Sequence, residues 1–261
     1  MVYSREDKIV ELINNSPNQR VTVEELAKIF STSPSTIRRD LNRLNKDHRI
    51  VKIHGGATSI GGYLGNINFD RVDREYYERE EADIDIKNKI AKFATRFIKS
   101  GMCIYLDAST TVASMIPYLS HLNNVYYVTN SPNLAMKLAE FGHKVYVTGG
   151  ELKVTTNAYI GGYALDFLDK FNFSIGFFGT NGIHPKAGFT TPDPVEATIK
   201  MKAISRSYNI YILASHNKFD ILSTATFSPI QNGTLITDEL PPSYQNIVKC
   251  ISLDRLKEGN I

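Results

Sequence analysis

Cysteine is nearly missing from this chain: Cys103 and Cys250 are the only two among 261 residues. Both sit inside apolar, strand-like runs, Met102 to Leu106 and Ile247 to Ile251, where a thiol is expected to be buried, reduced and inert. A disulfide framework is not expected. Also lacking is any apolar run close to the roughly 20 residues that a membrane span requires, and Met1-Val2-Tyr3-Ser4-Arg5-Glu6-Asp7 has no signal core. These absences point to a cytoplasmic protein. Strong net charge is missing too, because 30 Lys+Arg oppose 27 Asp+Glu. No metal and no cofactor is expected.

The small positive excess is localised. Residues 1–57 hold 10 basic and 7 acidic side chains, whereas residues 58–261 hold 20 of each. Between Ser35 and Gly56 the count is 6 basic to 2 acidic, the footprint of a nucleic-acid-binding module. Within it, Ser33 is a good N-cap and Pro34 stands at the first helical position, where its missing N–H costs nothing. At about 100° per residue, Ile37, Leu41 and Leu44 share one side of that helix. Ser35, Arg39, Asn42, Arg43 and Lys46 point away from it. An arginine fork can grip a guanine edge or a phosphate bidentately.

The neighbours strengthen this reading. Ser4 to Asn15 forms an amphipathic helix with Ile9, Leu12 and Ile13 on its stripe. A second helix runs from about Val23 to Phe30, and Ser31-Thr32 makes the turn into the Ser33 helix. Ile50, Val51 and Ile53 suit a short strand, followed by a bend at Gly55-Gly56. Three helices and a small basic β element outline a winged helix-turn-helix over residues 1–57. Arg39 and Arg43 are expected to meet base edges or phosphates, with Ser35 and Thr36 at the helix start. Arg38, Lys52, His54 and Gly55 would support them on the DNA backbone.

Residues 58–77 are read as a linker, Gly-rich at first and then charged. The mixed charges from Phe69 to Asp85 suit a solvated helix. From residue 78 to 261, apolar strands alternate with helical patterns, which argues for an α/β domain with a mostly parallel sheet covered on both faces. The expected strands include Met102 to Leu106, Val125 to Thr129, Lys144 to Val147, Ser174 to Phe178 and Ile210 to Leu213. Helices are expected over Ile86 to Ile98, Thr111 to Leu119, Pro132 to Glu140 and Pro194 to Arg206. Ligands in such folds bind beyond the carboxyl ends of strands. There stand Asp107, Ser109, Thr110 and Thr111, then Asn130, Gly150, and Gly179-Thr180-Asn181-Gly182. Further on come Glu196, Lys200 and Lys218. Hydroxyls and N–H groups there suit a phosphate, although Ser and Thr also cap helices with no ligand at all.

Arg5, Ser33-x-x-Thr36-Ile37-Arg38-Arg39-Asp40-Leu41 and His54-Gly55-Gly56-Ala57 together resemble the N-terminal domain of DeoR-type transcriptional regulators. Thr129-Asn130-Ser131, Gly149-Gly150, Gly179 to Ile183, Glu196 with Lys200, and Lys218-Phe219 follow in the order of that family's effector domain. The resemblance implies a sensor of phosphorylated sugars, similar in fold to ribose-5-phosphate isomerase. Gly179 to Ile183 joined to Gly188-Phe189-Thr190-Thr191-Pro192-Asp193-Pro194 is most similar to the fructose-operon repressors, which implies fructose 1-phosphate as inducer. Ser109 stands where the family usually has Gly, and Ser215 where it has Asp. The competing reading is an active isomerase. The chain lacks the acidic loop residues of those enzymes, and Lys200 falls where their catalytic Glu is expected; Glu196, one turn away, is the remaining candidate base, and no catalytic residue is assigned. A repressor on a short half-site needs operator DNA as partner and a homodimer or homotetramer to read it.

Overall fold

The computed structural model describes residues 4–16, 20–47, 49–53, 55–59, 76–120 and 122–256, and the backbone alone of 68–70. The chain divides after Asn68 into two compact units.

In the first unit, α1 (Arg5–Asn15) is followed by β1 (Arg20–Thr22), α2 (Val23–Ile29) and α3 (Pro34–Lys46), then β2 (Val51–Ile53) and β3 (Gly56–Thr58). Reciprocal capping boxes start α1 at Ser4/Asp7 and α2 at Thr22/Glu25, which satisfies backbone N–H groups that a helix start leaves open. Ile9, Ile13, Leu26, Ile37, Leu41 and Leu44 are each fully buried and form one small core. β3 lies between β1 and β2, antiparallel to both, so the wing is a three-stranded sheet. Gly55 turns the hairpin with a φ of +75°, and Gly56 faces the Val21 carbonyl so closely that a Cβ would clash.

β4 (Asn68–Asp70) straddles the division. The second unit opens with α4 (Tyr76–Glu81) and α5 (Ile84–Ala94). Its frame is a seven-stranded sheet of order β17-β16-β13-β10-β5-β6-β7, parallel at every pairing. The strands are β5 (Cys103–Leu106), β6 (Tyr126–Thr129), β7 (Lys144–Val147), β10 (Phe173–Gly179), β13 (Ser207–Leu213), β16 (Thr234–Thr237) and β17 (Cys250–Ser252). Ile104, Leu106, Tyr127, Ile175 and Phe177 point to a face covered by α5, α6 (Thr110–Ala113) and α7 (Pro132–Glu140). Tyr105, Val128, Phe178 and Ile212 point to the other, covered by α8 (Gly162–Leu168) and α9 (Pro194–Ser205). Apolar layers on both sides explain why these strands read as near-continuous hydrophobic runs. Two antiparallel additions flank the sheet: the hairpin β8 (Glu151–Lys153) with β9 (Ala158–Ile160), and the sheet β11 (Gly182–His184), β12 (Gly188–Thr191), β15 (Ala225–Ser228), the last preceded by the short strand β14 (Ile221–Ser223).

Some expectations need correction. The helix expected over Thr111 to Leu119 is a single turn, Thr110–Ala113, followed by a 3-10 turn at Ile116–Tyr118. Pro117 lacks the N–H that a continuing α-helix would need. The charged segment is not simply solvated, because Tyr76 is 1% exposed. Both cysteines are half-buried and free, and burial raises their thiol pKa, Cys250 to about 12. Among the described residues, no helix is long and apolar enough to cross a membrane.

Candidate functional site

In the first unit, Ser33 Oγ accepts from the Thr36 N–H at 3.2 Å and starts α3. With Ile37, Leu41 and Leu44 buried, the opposite face presents Ser35, Arg38, Arg39, Asn42 and Arg43 to solvent. Arg38 and Arg39 have no ion-pair partner among the described residues, whereas Arg43 pairs with Glu6 at 3.0 Å. Asp40 is 6% exposed and receives two bonds from the Arg5 fork, at 2.7 and 3.1 Å. That clip ties α1 to the recognition helix. Lys52 donates its ammonium to Asn42 at 2.7 Å and its N–H to Asn45 at 2.8 Å, fastening the wing to α3. His54 lies outside the described residues. A helix with an exposed basic face beside a small β wing has the shape and charge that suit a DNA duplex.

The second unit holds a cavity of about 180 Å³ where the strand order switches, beyond the carboxyl ends of β5, β10 and β13. Ser109 lines it from the loop after β5, Thr110 and Thr111 from the start of α6, Gly179 from the end of β10, and Thr180 and Asn181 from the loop that follows. Glu196 and Lys200 reach it from α9, and Lys218 from beyond β13. Four other residues singled out in the sequence do not line it. Asp107 lies just beneath, and Asn130 is a brace that accepts from Tyr105 Oη at 3.0 Å and from the Ala108 N–H at 3.1 Å. Gly150 packs against the Ile160 carbonyl and Gly182 against the Ile221 backbone.

The floor is a buried ion pair. Lys200, 6% exposed, bonds to Asp107, 1% exposed, and donates to the Gly179 carbonyl at 3.2 Å. The same Asp107 oxygen accepts the Gly179 N–H at 3.0 Å, so β5, β10 and α9 meet at one carboxylate. A Cβ on Gly179 would run into Ser109, which shows how closely that serine approaches β10.

The cations that sequence reasoning missed come from α4 and α5. Arg79 lines the cavity, and its Nε and Nη2 are buried without a hydrogen-bond partner. Lys87 is 7% exposed and donates to the Arg79 carbonyl. Burial lowers its pKa to about 8, with Lys218 and Arg79 pushing the same way and Asp83 opposing. Asn217 donates to Asp83 at 2.6 Å, a contact that joins α5 to the loop after β13. A desolvated guanidinium with unused donors beside a lysine that is hard to keep charged is a site that gains by receiving an anion. A signal for Lys87 was present: it shares the buried stripe of α5 with Ile90, Ala91 and Ala94, where a lysine is out of place. No group of described His, Cys, Asp and Glu residues could hold a metal ion.

An exposed basic helix beside a wing in one unit and a partly enclosed cavity lined by Arg79, Lys87, Lys200 and Lys218 in the other are the parts of a ligand-responsive transcription regulator. Residues 5–61 match the DeoR-like helix-turn-helix domain and residues 82–239 the DeoR C terminal sensor domain. The chain belongs to the DeoR family. It is 37% identical to an uncharacterized HTH-type transcriptional regulator FruR of Bacillus subtilis, over 84% of each chain. It is 32% identical to the HTH-type transcriptional regulator GlpR of Haloferax volcanii, over 90% of this chain and 89% of that one. The glycerol-3-phosphate regulon repressor of Escherichia coli is 28% identical over 91% of each. Among solved structures, ribose-5-phosphate isomerase A of Methanocaldococcus jannaschii aligns with 53% of this chain and 55% of its own, at 19% identity and a TM-score of 0.40.

Proposed function

We propose that the protein represses a sugar-utilisation operon and releases its operator when a sugar phosphate, fructose 1-phosphate first among them, occupies the cavity. The observation that carries this reading is that Arg79 Nε and Nη2 are buried without a hydrogen-bond partner beside the cavity, next to Lys87. A phosphate offers the acceptor oxygens that this fork lacks. Ser109, Thr110 and Thr111 supply hydroxyls beside it. The choice of fructose 1-phosphate rests on the resemblance at Gly179 to Ile183 and Gly188 to Pro194. Asp107, Asn130, Gly150 and Gly182 shape these loops from behind, so their contribution to affinity is indirect.

The Arg39 and Arg43 side chains take the operator, with Ser35, Thr36, Arg38, Lys52 and Gly55 on its backbone. A homodimer or homotetramer supplies the second half-site. Binding without turnover fits Lys200, a cation held by Asp107, in the place where an isomerase needs a base. Arg79 also suggests a route by which the effector signal leaves the cavity. It stands on α4, the first described helix after the segment that joins the units, so a phosphate drawing on its fork acts on that helix. Arg71 to Glu75, which precede α4 in the same charged stretch, lie outside the described residues.

A thermal-shift panel of sugar phosphates on the full chain tests the reading. A specific ligand at about 100 times its Kd stabilises the folded state by roughly 2.7 kcal/mol, and the same ligand should release operator DNA in a gel-shift assay. A different winning phosphosugar replaces the effector and keeps the sensor. No shift from any phosphate ester, or proton exchange at C1 or C2 of the sugar that Glu196→Gln abolishes, overturns it.

A further inference from the structure

Glu196 is the one carboxylate that α9 contributes to the cavity wall. A carboxylate repels a phosphate but accepts from sugar hydroxyls, so its direction bears on which sugar fits. That direction is set from outside the sheet, by the β8–β9 hairpin. Thr156, 1% exposed, donates its hydroxyl to Glu196 Oε1, and the Lys153 ammonium lies 3.1 Å from the same oxygen. Lys153 also reaches Asp193 at 2.6 Å, and Asp193 caps α9 by accepting the Val195 N–H at 2.7 Å. One ammonium therefore spans the N-cap carboxylate of α9 and the carboxylate of its first turn. The hairpin is itself held from its other side. Asn157, at a φ of 53°, accepts from Ser131 Oγ at 3.2 Å and from the Asn133 N–H at 3.1 Å. Tyr159 donates its N–H to the Asn130 carbonyl at 2.6 Å.

We infer that the β8–β9 hairpin is the selectivity element of the sensor, with Lys153 and Thr156 as positioning residues that aim Glu196 at the hydroxyls of a sugar phosphate. The inference rests on the sugar-phosphate reading above and deepens it. Saturating one oxygen of Glu196 fixes the carboxylate plane, and a fixed acceptor distinguishes hydroxyl positions that a freely turning one would serve alike.

The test is calorimetric titration of the full chain with two probes, fructose 1-phosphate and inorganic phosphate, which share the anion and differ in hydroxyls. Lys153→Met should weaken fructose 1-phosphate by about tenfold and inorganic phosphate by less than about twofold, the size of one lost charge-assisted hydrogen bond. Lys153→Arg, which keeps the charge and the reach, should restore most of the ratio. Thr156→Val should lower the ratio by about threefold to fivefold and remains informative if the Lys153→Met chain melts early. Parallel losses for both probes, or an unchanged ratio in Lys153→Met and Thr156→Val, would overturn the inference and leave the sensor reading standing. If the wild-type chain takes neither probe, the phosphosugar that leads the thermal-shift panel replaces fructose 1-phosphate in the same titrations, and a chain that takes no phosphate ester at all overturns both.

Discussion

The two units use positive charge in opposite ways. In the first, Arg38 and Arg39 stand in water on a helix face, where an exposed charge is screened within about 8 Å at physiological salt. Such charges work in numbers on a polyanion, and releasing the counterions of DNA supplies much of the affinity. In the second, Lys87 and Lys200 are 7% and 6% exposed, and each has had to be matched within the fold. The two aspartate clips follow the same division. Arg5, which holds Asp40, keeps 45% of its side chain exposed, whereas Lys200 and Asp107 have given up almost all their water. A surface clip orients a helix at small desolvation cost; a buried pair makes each partner dependent on the other.

The largest effect expected from this contrast is on folding. Asp107→Ala leaves an ammonium buried without its counterion and should destabilise the chain by about 3–5 kcal/mol in urea unfolding. Replacing both partners, Asp107→Asn with Lys200→Met, should recover a good part of that loss. Arg5→Ala should cost clearly less than Asp107→Ala, and equal losses would break the comparison. Next in size is recognition. Arg39→Ala should lower specific operator affinity by about 1–3 kcal/mol if it makes a bidentate base contact, with the unfolding midpoint little changed. Gel shifts on operator and unrelated DNA at one salt concentration measure it, and unchanged operator binding removes the assignment.

The same contrast explains what could be read from the amino acids. In the first unit, capping boxes, helical period and basic charge coincide within some sixty residues, so its three helices were legible. β1 was not, because Arg20–Thr22 is too short to alternate and exists by pairing with β3. In the second unit, the apolar strands announced the sheet, and the small polar loops after β5 and β10 announced the cavity. Its other wall was hidden. Arg79 lies in a stretch read as a solvated helix, Lys87 in a helix expected to cover the sheet but not tied to the site, and Lys153 and Thr156 in a hairpin with no local signature, so only tertiary folding brings them to the site. Tyr76 and Arg79, three residues apart, share one face of α4, and a tyrosine among charges was the available hint.

The smallest effect concerns the buried cation most exposed to titration. Lys87 has its pKa lowered to about 8 by burial, with Lys218 and Arg79 adding to the depression and Asp83 opposing it. Glu80 also raises it, by a smaller amount than these. An unfolded lysine titrates near 10.4, so between about pH 8 and pH 10 the unfolded chain binds more protons than the folded one. Without ligand, stability should therefore rise with pH across that window. A phosphate ester reverses the preference, since it is already dianionic above pH 7 and favours the charged lysine. Binding at pH 8 to 9 should take up protons, and affinity should fall as pH rises above 8, by at most about tenfold per unit. Lys87→Met should flatten that profile, and titrations in buffers of different ionisation enthalpy count the protons. If affinity in the wild type holds level to pH 10, Lys87 does not face the anion, and Arg79 is left as the cation that does.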